Sequence, residues 1–435
     1  MKRIFPKETY KRLLGIIVIL LVFITLSGCS KTKEPVVVNA PMPTESVVQA
    51  DSQKPTELPD STAATPTPAI TEAFVNDSHP SQPSVTVTPT QAPVSTVKLL
   101  AVGDNLIHIQ VIDSGRQADG TYNYDNLYSN IKADISAADI AVINQETILG
   151  GNEKPYSGYP NFNSPDEIGT AVINAGFDVV LHATNHSMDM GTKGIEHTLW
   201  FWSQHPQIKV LGINQSKEAQ EQIPIIEKNG IKIAMLNYTY GLNGYTLPKD
   251  KPYLVNLFDK EKMKADIQKA EELADFTIVF PHWGSEYTYN IDSVQEELTK
   301  FFYENGVDLV IGSHPHVLEP VKWIETEKNH RMLVYYSLGN FMSYQKEAPR
   351  MLGGIANVTI TKDGTGTYIS DASITPIITH YENGPDDYNY AIYKLSDYNE
   401  ELARVHGVSE IARNGPLTYQ NTLNLAKEIL GSWYQ

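Results

Sequence analysis

Four times along the chain an aspartate opens a short apolar run, and a side chain able to bind a metal follows at nearly the same remove. Asp139 precedes Ile140 to Ile143, with Glu146 seven residues on; Asp178 precedes Val179 to Leu181, with Asn185 and then His186. Asp275 precedes Phe276 to Phe280, with His282 seven residues on; Asp308 precedes Leu309 to Ile311, with His314 and His316 bracketing that offset. The segments before the runs read as helices. Ser164-Pro165-Asp166-Glu167 offers a capping serine, a proline at the first helical position and acids in the first turn, and Gly176 stops the helix. Asp292 to Asn305 repeats that polarity, with Gly306 as the stop. Helix and apolar strand in alternation predict an α/β fold with ligands gathered where the strands end.

The run into Gly312-Ser313-His314-Pro315-His316 carries the densest signal. Residues two apart in an extended segment point to the same side, and Pro315 biases His314 away from helical angles, so the two imidazoles can converge. On their own they are either metal ligands or hydrogen-bonded residues of a sheet rim. The residues at the other strand ends decide between these readings. Asp, Glu, Asn and His without cysteine are the ligand set of a metal-dependent hydrolase. A further strand, Val97 to Val102, ends in Gly103-Asp104-Asn105, where Asp104 is either a ligand or a cap. Tyr335 to Phe341 ends another, and Asn340 there either orients a ligand or terminates the strand. His108, His182, His197, His205 and His380 lie outside the repeated layout and read as core or surface histidines, with His108 and His182 the two to watch. Trp200, Phe201 and Trp202 read as core. Asn237 to Tyr253, with Gly241, Gly244 and Pro248, reads as a loop flanking the site. Residues 355–379 alternate apolar and polar as antiparallel strands do, and Tyr419 to Trp433 is amphipathic, a helix docked on the domain or on a partner.

The N-terminus places the chain. Lys2, Arg3, Lys7, Lys11 and Arg12 precede an uncharged run, Leu13 to Leu26, too short for the roughly 20 residues of a spanning helix and suited to a signal peptide. Leu26-Ser27-Gly28-Cys29 follows, and Cys29 is the only cysteine. The order of basic, apolar and small residues resembles a bacterial lipobox, which predicts a signal peptide over 1–28 and lipidation at Cys29; the alternative reading is an uncleaved N-terminal anchor with an incidental cysteine. The mature chain would then be anchored at the outer face of the cell membrane. Residues 29–95 are rich in Pro and Thr, with Phe74 the only aromatic, and read as a disordered tether. The net charge of −17 and the absence of a basic run after the leader argue against nucleic acid as a partner. An acidic surface also repels anions at long range, so an anionic substrate needs cations at its site.

Residues 97 to about 379 resemble the CapA family of poly-gamma-glutamate capsule synthesis proteins, within the calcineurin-like metallophosphoesterase superfamily. The motifs that carry the resemblance are Val102-Gly103-Asp104, Asn144-Gln145-Glu146, Thr184-Asn185-His186-Ser187 with Asp189 and Gly191, His282-Trp283-Gly284 with Glu286, Gly312-Ser313-His314-Pro315-His316, and Ser337-Leu338-Gly339-Asn340-Phe341. It implies a four-layer sandwich, two facing mixed sheets flanked by helices, over 96–380; residues 381–435 lie beyond the resemblance and read, from the amphipathic stretch, as a C-terminal helical extension. The resemblance also implies two divalent ions (Mn, Fe, Zn or Mg) on Asp104, Glu146 as the bridging carboxylate, Asn185, His282, His314 and His316. His186 would be the catalytic acid, and Asn144, His108, Glu286 and Asn340 are accessory candidates. Leu106 stands where the superfamily carries a histidine, leaving one metal short of a ligand unless His108 or Asn144 supplies it. Tyr344 stands where the family often has an acid. The implied function is synthesis, export or attachment of the anionic polymer together with membrane synthase or export proteins. The alternative is a metal-dependent phosphoesterase acting on another cell-surface substrate.

Overall fold

Each aspartate of the repeated layout is tied to the strand before it in the computed structural model, which describes residues 94–326, 330–383, 388–408 and 416–434. The leader over 1–28, the lipidation site Cys29 and the tether up to residue 93 lie outside the described residues. In chain order the first half comprises β1 (Ser95–Asn105), α1 (Ile109–Ser114), α2 (Lys132–Ser136), β2 (Ile140–Asn144), α3 (Asp166–Ala175), β3 (Val179–Leu181), α4 (Gly191–Ser203) and β4 (Lys209–Leu211). The second half comprises α5 (Lys217–Gln220), β5 (Ile225–Lys228), β6 (Ile231–Thr239), α6 (Lys260–Leu273), β7 (Phe276–His282), α7 (Ser293–Glu304), β8 (Leu309–Ile311), β9 (Val321–Glu325), β10 (Arg331–Tyr335) and β11 (Asn340–Met342). The chain closes with β12 (Leu352–Asp363), β13 (Gly366–Asn383), β14 (Tyr388–Lys394), α8 (Glu400–Val405) and α9 (Tyr419–Leu430).

The strands make two sheets, ordered β14-β13-β12-β1-β2-β3-β4, with β11 also on β1, and β5-β6-β7-β8-β10-β9. Their centres are parallel, β1 to β4 in one and β6, β7, β8 and β10 in the other, while β12 to β14, β5 and β9 add antiparallel edges. Alternation along the second sheet shows how they pack. Ile231, Ile233, Met235, Ile278, Phe280, Leu309 and Ile311 share one core with Leu99, Ala101 and Val142 of the first sheet. The intervening Ala234, Leu236, Val279 and Val310 pack instead with Met263 and Ile267 of α6 and Leu298 and Phe302 of α7. On the first sheet, Ile168 and Val172 of α3 and Trp202 of α4 join the core. This is the expected sandwich of two facing mixed sheets with helices outside.

The repeated aspartates explain the register. The Asp139 backbone N–H donates to Lys98 O and its Oδ2 accepts from Lys98 N (2.8 and 2.9 Å); Asp178 makes the same pair with Ala141 (2.9 and 2.8 Å). Asp275 does so with Lys232 (2.8 and 2.9 Å) and Asp308 with Thr277 (3.1 and 2.8 Å). Each ring satisfies a backbone donor at the entry of a parallel strand, worth about 1 kcal/mol net per bond. It also fixes where the strand starts, so a constant residue count delivers the side chains beyond its far end to a common level.

The helix stops are as expected: Gly176 and Gly306 have φ of 105° and 99°, and α7 starts on a capping box between Asp292 and Gln295. Phe201 and Trp202 are core, while Trp200 is exposed. The boundary expected at 380 falls inside β13. The segment after it first adds β14 to the edge of the first sheet, and only then turns helical. Its length and polar, Tyr-rich character hide that strand, which is held by pairing to β13. α9 docks on the domain, burying Leu425, Ala426 and Leu430 in the main core.

Candidate metal centre

β1 brings Asp104 to the centre by passing close under β11. A Cβ on Gly103 would stand 1.9 Å from Gly339 O, so only glycine allows the approach. Asp104 is fully buried and both its oxygens are engaged. Oδ1 accepts from Asn144 Nδ2 at 2.8 Å, Oδ2 lies 2.9 Å from His316 Nδ1, and the His314 backbone N–H is 3.3 Å from each. With its Nδ1 on Asp104, His316 presents Nε2 towards Glu146, 3.7 Å from Oε1. His282 Nε2 lies at the same 3.7 Å from Oε1, and 3.0 Å from Asn185 Oδ1, while its Nδ1 meets Ser313 Oγ at 3.0 Å.

Among the described residues, three groups of ligand atoms, each within 4.8 Å of one another, result: Asp104, Glu146 and His316; Glu146, His282 and His314; and Glu286, His314 and His316. Glu146 belongs to the first two, as a bridging carboxylate would. Fully buried, it has no hydrogen-bond partner on either oxygen among the described residues, and His314 Nδ1 and Asn144 Oδ1 are likewise buried and unpartnered. A buried carboxylate and imidazole left without partners are costly unless a cation completes them, so the residues fit a bound divalent ion. The donors are nitrogen and oxygen throughout.

The electrostatics agree with that fit. Burial, with Asp104, Glu286 and Asp189 nearby, holds the Glu146 carboxyl well above its usual range against the pull of His316. Burial and the neighbouring histidines push His282 and His314 well below theirs, which keeps them neutral and able to ligate. Burial lowers His316 too, but Glu146, Asp104 and Glu286 outweigh it and raise it to about 9.

His186 stands beside the cluster with a partner of its own. Its Nδ1 is 2.8 Å from Asp189 Oδ2, which also accepts the Phe162 backbone N–H at 2.7 Å. Phe162 packs edge-on against the imidazole, with ring centroids 4.7 Å apart. Thr184 joins the two loops, donating from Oγ1 to Glu146 O at 2.8 Å and lying 3.2 Å from His186 N.

The accessory candidates divide. Glu286 joins the cluster because Tyr287 N donates to Pro315 O at 2.8 Å, folding the loop after β7 onto the His-Pro-His segment. His108 belongs to none of the three groups: its Nδ1 lies 3.1 Å from the Tyr344 backbone N–H, and burial lowers its pKa to about 4. Asn144 braces Asp104. Asn340 has a supporting place as well, with Nδ2 3.3 Å from His316 O and 2.9 Å from Arg350 O. His182 is core, accepting from Trp202 Nε1 at 2.9 Å.

Three residues of the Asn237 to Tyr253 segment reach the site, where the sequence marks the segment and not the individual side chains. Asn237 links the sheets at the site, accepting from Ala183 N at 2.8 Å and donating to Phe280 O at 2.9 Å. Tyr240 packs 4.6 Å from the His314 ring, and Asn243 reaches Asn185 at 3.3 Å, so the loop after β6 does flank the site. Each lies in a segment whose composition marks only a strand end or a loop.

Two facing α/β layers carry His, Asp and Glu clusters at their strand ends, an arrangement compatible with metal binding. The family described as bacterial capsule synthesis protein PGA_cap matches residues 98–345, and the chain belongs to that family. It is 28% identical over 283 residues to the PGA biosynthesis protein CapA of Bacillus subtilis (strain 168), covering 62% of this chain and 71% of that protein. It is 29% identical over 187 residues to the capsule biosynthesis protein CapA of Bacillus anthracis, covering 42% of this chain and 44% of that one. Among solved structures it is similar to the calcineurin-like phosphoesterase YfkN from Bacillus subtilis, with TM-score 0.38 and 14% identity over 77% of this chain and 98% of that one.

Proposed function

We propose that the protein is a lipid-anchored, extracytoplasmic component of poly-gamma-glutamate capsule synthesis, export or attachment, working through a dinuclear divalent-metal centre. The observation that carries this reading is that the family match, residues 98–345, encloses every member of the cluster from Asp104 to His316. The leader and Cys29 support the location, and the anionic polymer and membrane synthase or export proteins are its expected partners.

Asp104, Glu146 and His316 would hold one ion and Glu146, His282 and His314 the other, with Asn185 and Glu286 beside them. Bound there, divalent ions polarise an acyl or phosphoryl oxygen and make water a nucleophile near neutral pH. The chain's own residues supply the rest. Asp189 accepts from His186 Nδ1 and so leaves Nε2 as the atom that hands a proton to the leaving group. Phe162 covers one edge of that imidazole and limits water there. The same His186–Asp189 pair favours a second reading, a metal-dependent phosphoesterase acting on another cell-surface substrate.

The test is complementation of a capsule-forming strain lacking its own copy. Wild-type chain is expected to restore surface polymer, and His316→Ala and His186→Ala to fail at equal protein level. Cys29→Ala is expected to shift the protein out of the membrane fraction. Full capsule in the His186→Ala strain would remove catalysis from the role, and full capsule with His316→Ala would remove the metal centre.

A further inference from the structure

Beside the cluster lies a cavity of about 430 Å³ whose lining includes His186, His316, Glu286, Tyr287, Lys346 and Arg350. Arg350 comes from the 3-10 turn Ala348–Met351, and its guanidinium carbon sits 3.6 Å from the Tyr287 ring centroid. That ring is itself 5.8 Å from the His316 ring, so a single aromatic separates the arginine from a cluster histidine. The backbones are coupled too, because Asn340 Nδ2 reaches both Arg350 O and His316 O, at 2.9 and 3.3 Å. Glu347 takes Nη2 only. Arg350 Nε is buried and has no partner among the described residues.

A guanidinium stacked on an aromatic keeps its fork fixed, and a buried donor without an acceptor is unfavourable until a ligand oxygen meets it. An Arg–Glu pair made only for the turn would need neither the tyrosine beneath it nor a place in the cavity wall. The net charge of −17 makes the point sharper, since anions are repelled at long range and must be captured by local cations. Glu286 opposes an anion in the cavity unless its carboxylate is turned to the cluster, where it lies within 4.8 Å of ligand atoms on His314 and His316.

We propose that Arg350 seated on Tyr287, with exposed Lys346 at the rim, forms an oxyanion-binding subsite that holds a carboxylate or phosphoryl group of the substrate against the metal cluster. This rests on the reading of the cavity as the substrate site. Arg350 is a binding residue here, fixing which group of the substrate faces the metals, and the fork accounts for arginine rather than lysine at this position.

The test is calorimetric titration of the metal-loaded full-length protein with γ-linked tri-glutamate and, separately, with inorganic phosphate. Arg350→Ala is expected to weaken binding of the subsite's ligand at least tenfold with metal content unchanged, and Arg350→Lys to weaken it several-fold. Lys346→Ala is expected to lower affinity less and to flatten the salt dependence. Tyr287→Leu, which removes the stack and keeps the charge, provides the second route if Arg350→Ala does not fold, with several-fold weakening expected. Arg350-dependent binding of phosphate alone upholds the subsite and overturns the polymer reading. Tri-glutamate binding that is indifferent to both Arg350 and Tyr287 substitutions upholds the polymer reading and overturns the subsite.

Discussion

Replacing Glu146 by glutamine should invert the order of stability between the metal-free and metal-loaded states. Glu146 is fully buried, and neither of its oxygens has a hydrogen-bond partner among the described residues. Glutamine keeps the shape and cannot ionise, so no cavity opens and the metal-free fold no longer has to hold a carboxyl well above its ordinary range. An unsatisfied buried polar group costs about 1–3 kcal/mol and a charged one more, so the metal-free Glu146→Gln protein should exceed its parent by about 2 kcal/mol. With an unfolding entropy of about 2 cal/mol/K per residue, that is about 2 °C for a chain of this size. Metal reverses the comparison. At 100 times its Kd each ion adds about 2.7 kcal/mol to the parent and little to the variant, whose amide is a poor bridging ligand. Scanning calorimetry of chelator-treated protein, repeated with added Mn²⁺, reads both halves. A metal-free variant less stable than its parent, or equal stabilisation of both by metal, would refute the assignment of Glu146 as the shared carboxylate.

Asp189→Asn keeps an oxygen for Phe162 N but replaces the carboxylate that accepts from His186 Nδ1, so turnover of a phosphodiester or γ-glutamyl substrate should fall about 10- to 100-fold. Metal content should be unchanged, and an unaltered rate would remove His186 from proton transfer. Burial raises the Asp308 carboxyl to about 8, so the folded protein holds a proton that the unfolded chain has released above its ordinary value. The stabilising contribution is therefore complete below about pH 4 and is lost as pH rises towards 8. Asp308→Asn, which can still accept from Thr277 N, should flatten urea-measured stability across that window. An identical pH slope in the variant would contradict the assignment.

The sandwich and most of the centre were legible because one local device repeats. The rings at Asp139, Asp178, Asp275 and Asp308 pin strand starts, so the residue count to Glu146, Asn185, His282 and the His-Pro-His pair measures real distance. Glu286 was weaker in sequence because its approach depends on backbone that residue types do not announce: φ of 64° at Tyr287, 100° at His314 and 58° at His316. The positive φ values at the histidines also show that simple strand alternation is not what converges them. Those angles are imposed by tertiary bonds such as Tyr287 N to Pro315 O. The Arg350–Tyr287 stack joins segments far apart in sequence and has no local signature. β14 escaped for a related reason, since an edge strand is defined by its neighbour.

The most direct measurement is the metal content of purified full-length protein from medium supplied with Mn, Fe and Zn, read by mass spectrometry beside His314→Ala and His316→Ala. The wild type should carry about two divalent ions per chain and each variant clearly fewer, as expected for a two-metal site. Wild-type protein without metal, and variants indistinguishable from it, would contradict the assignment of a metal centre to this cluster.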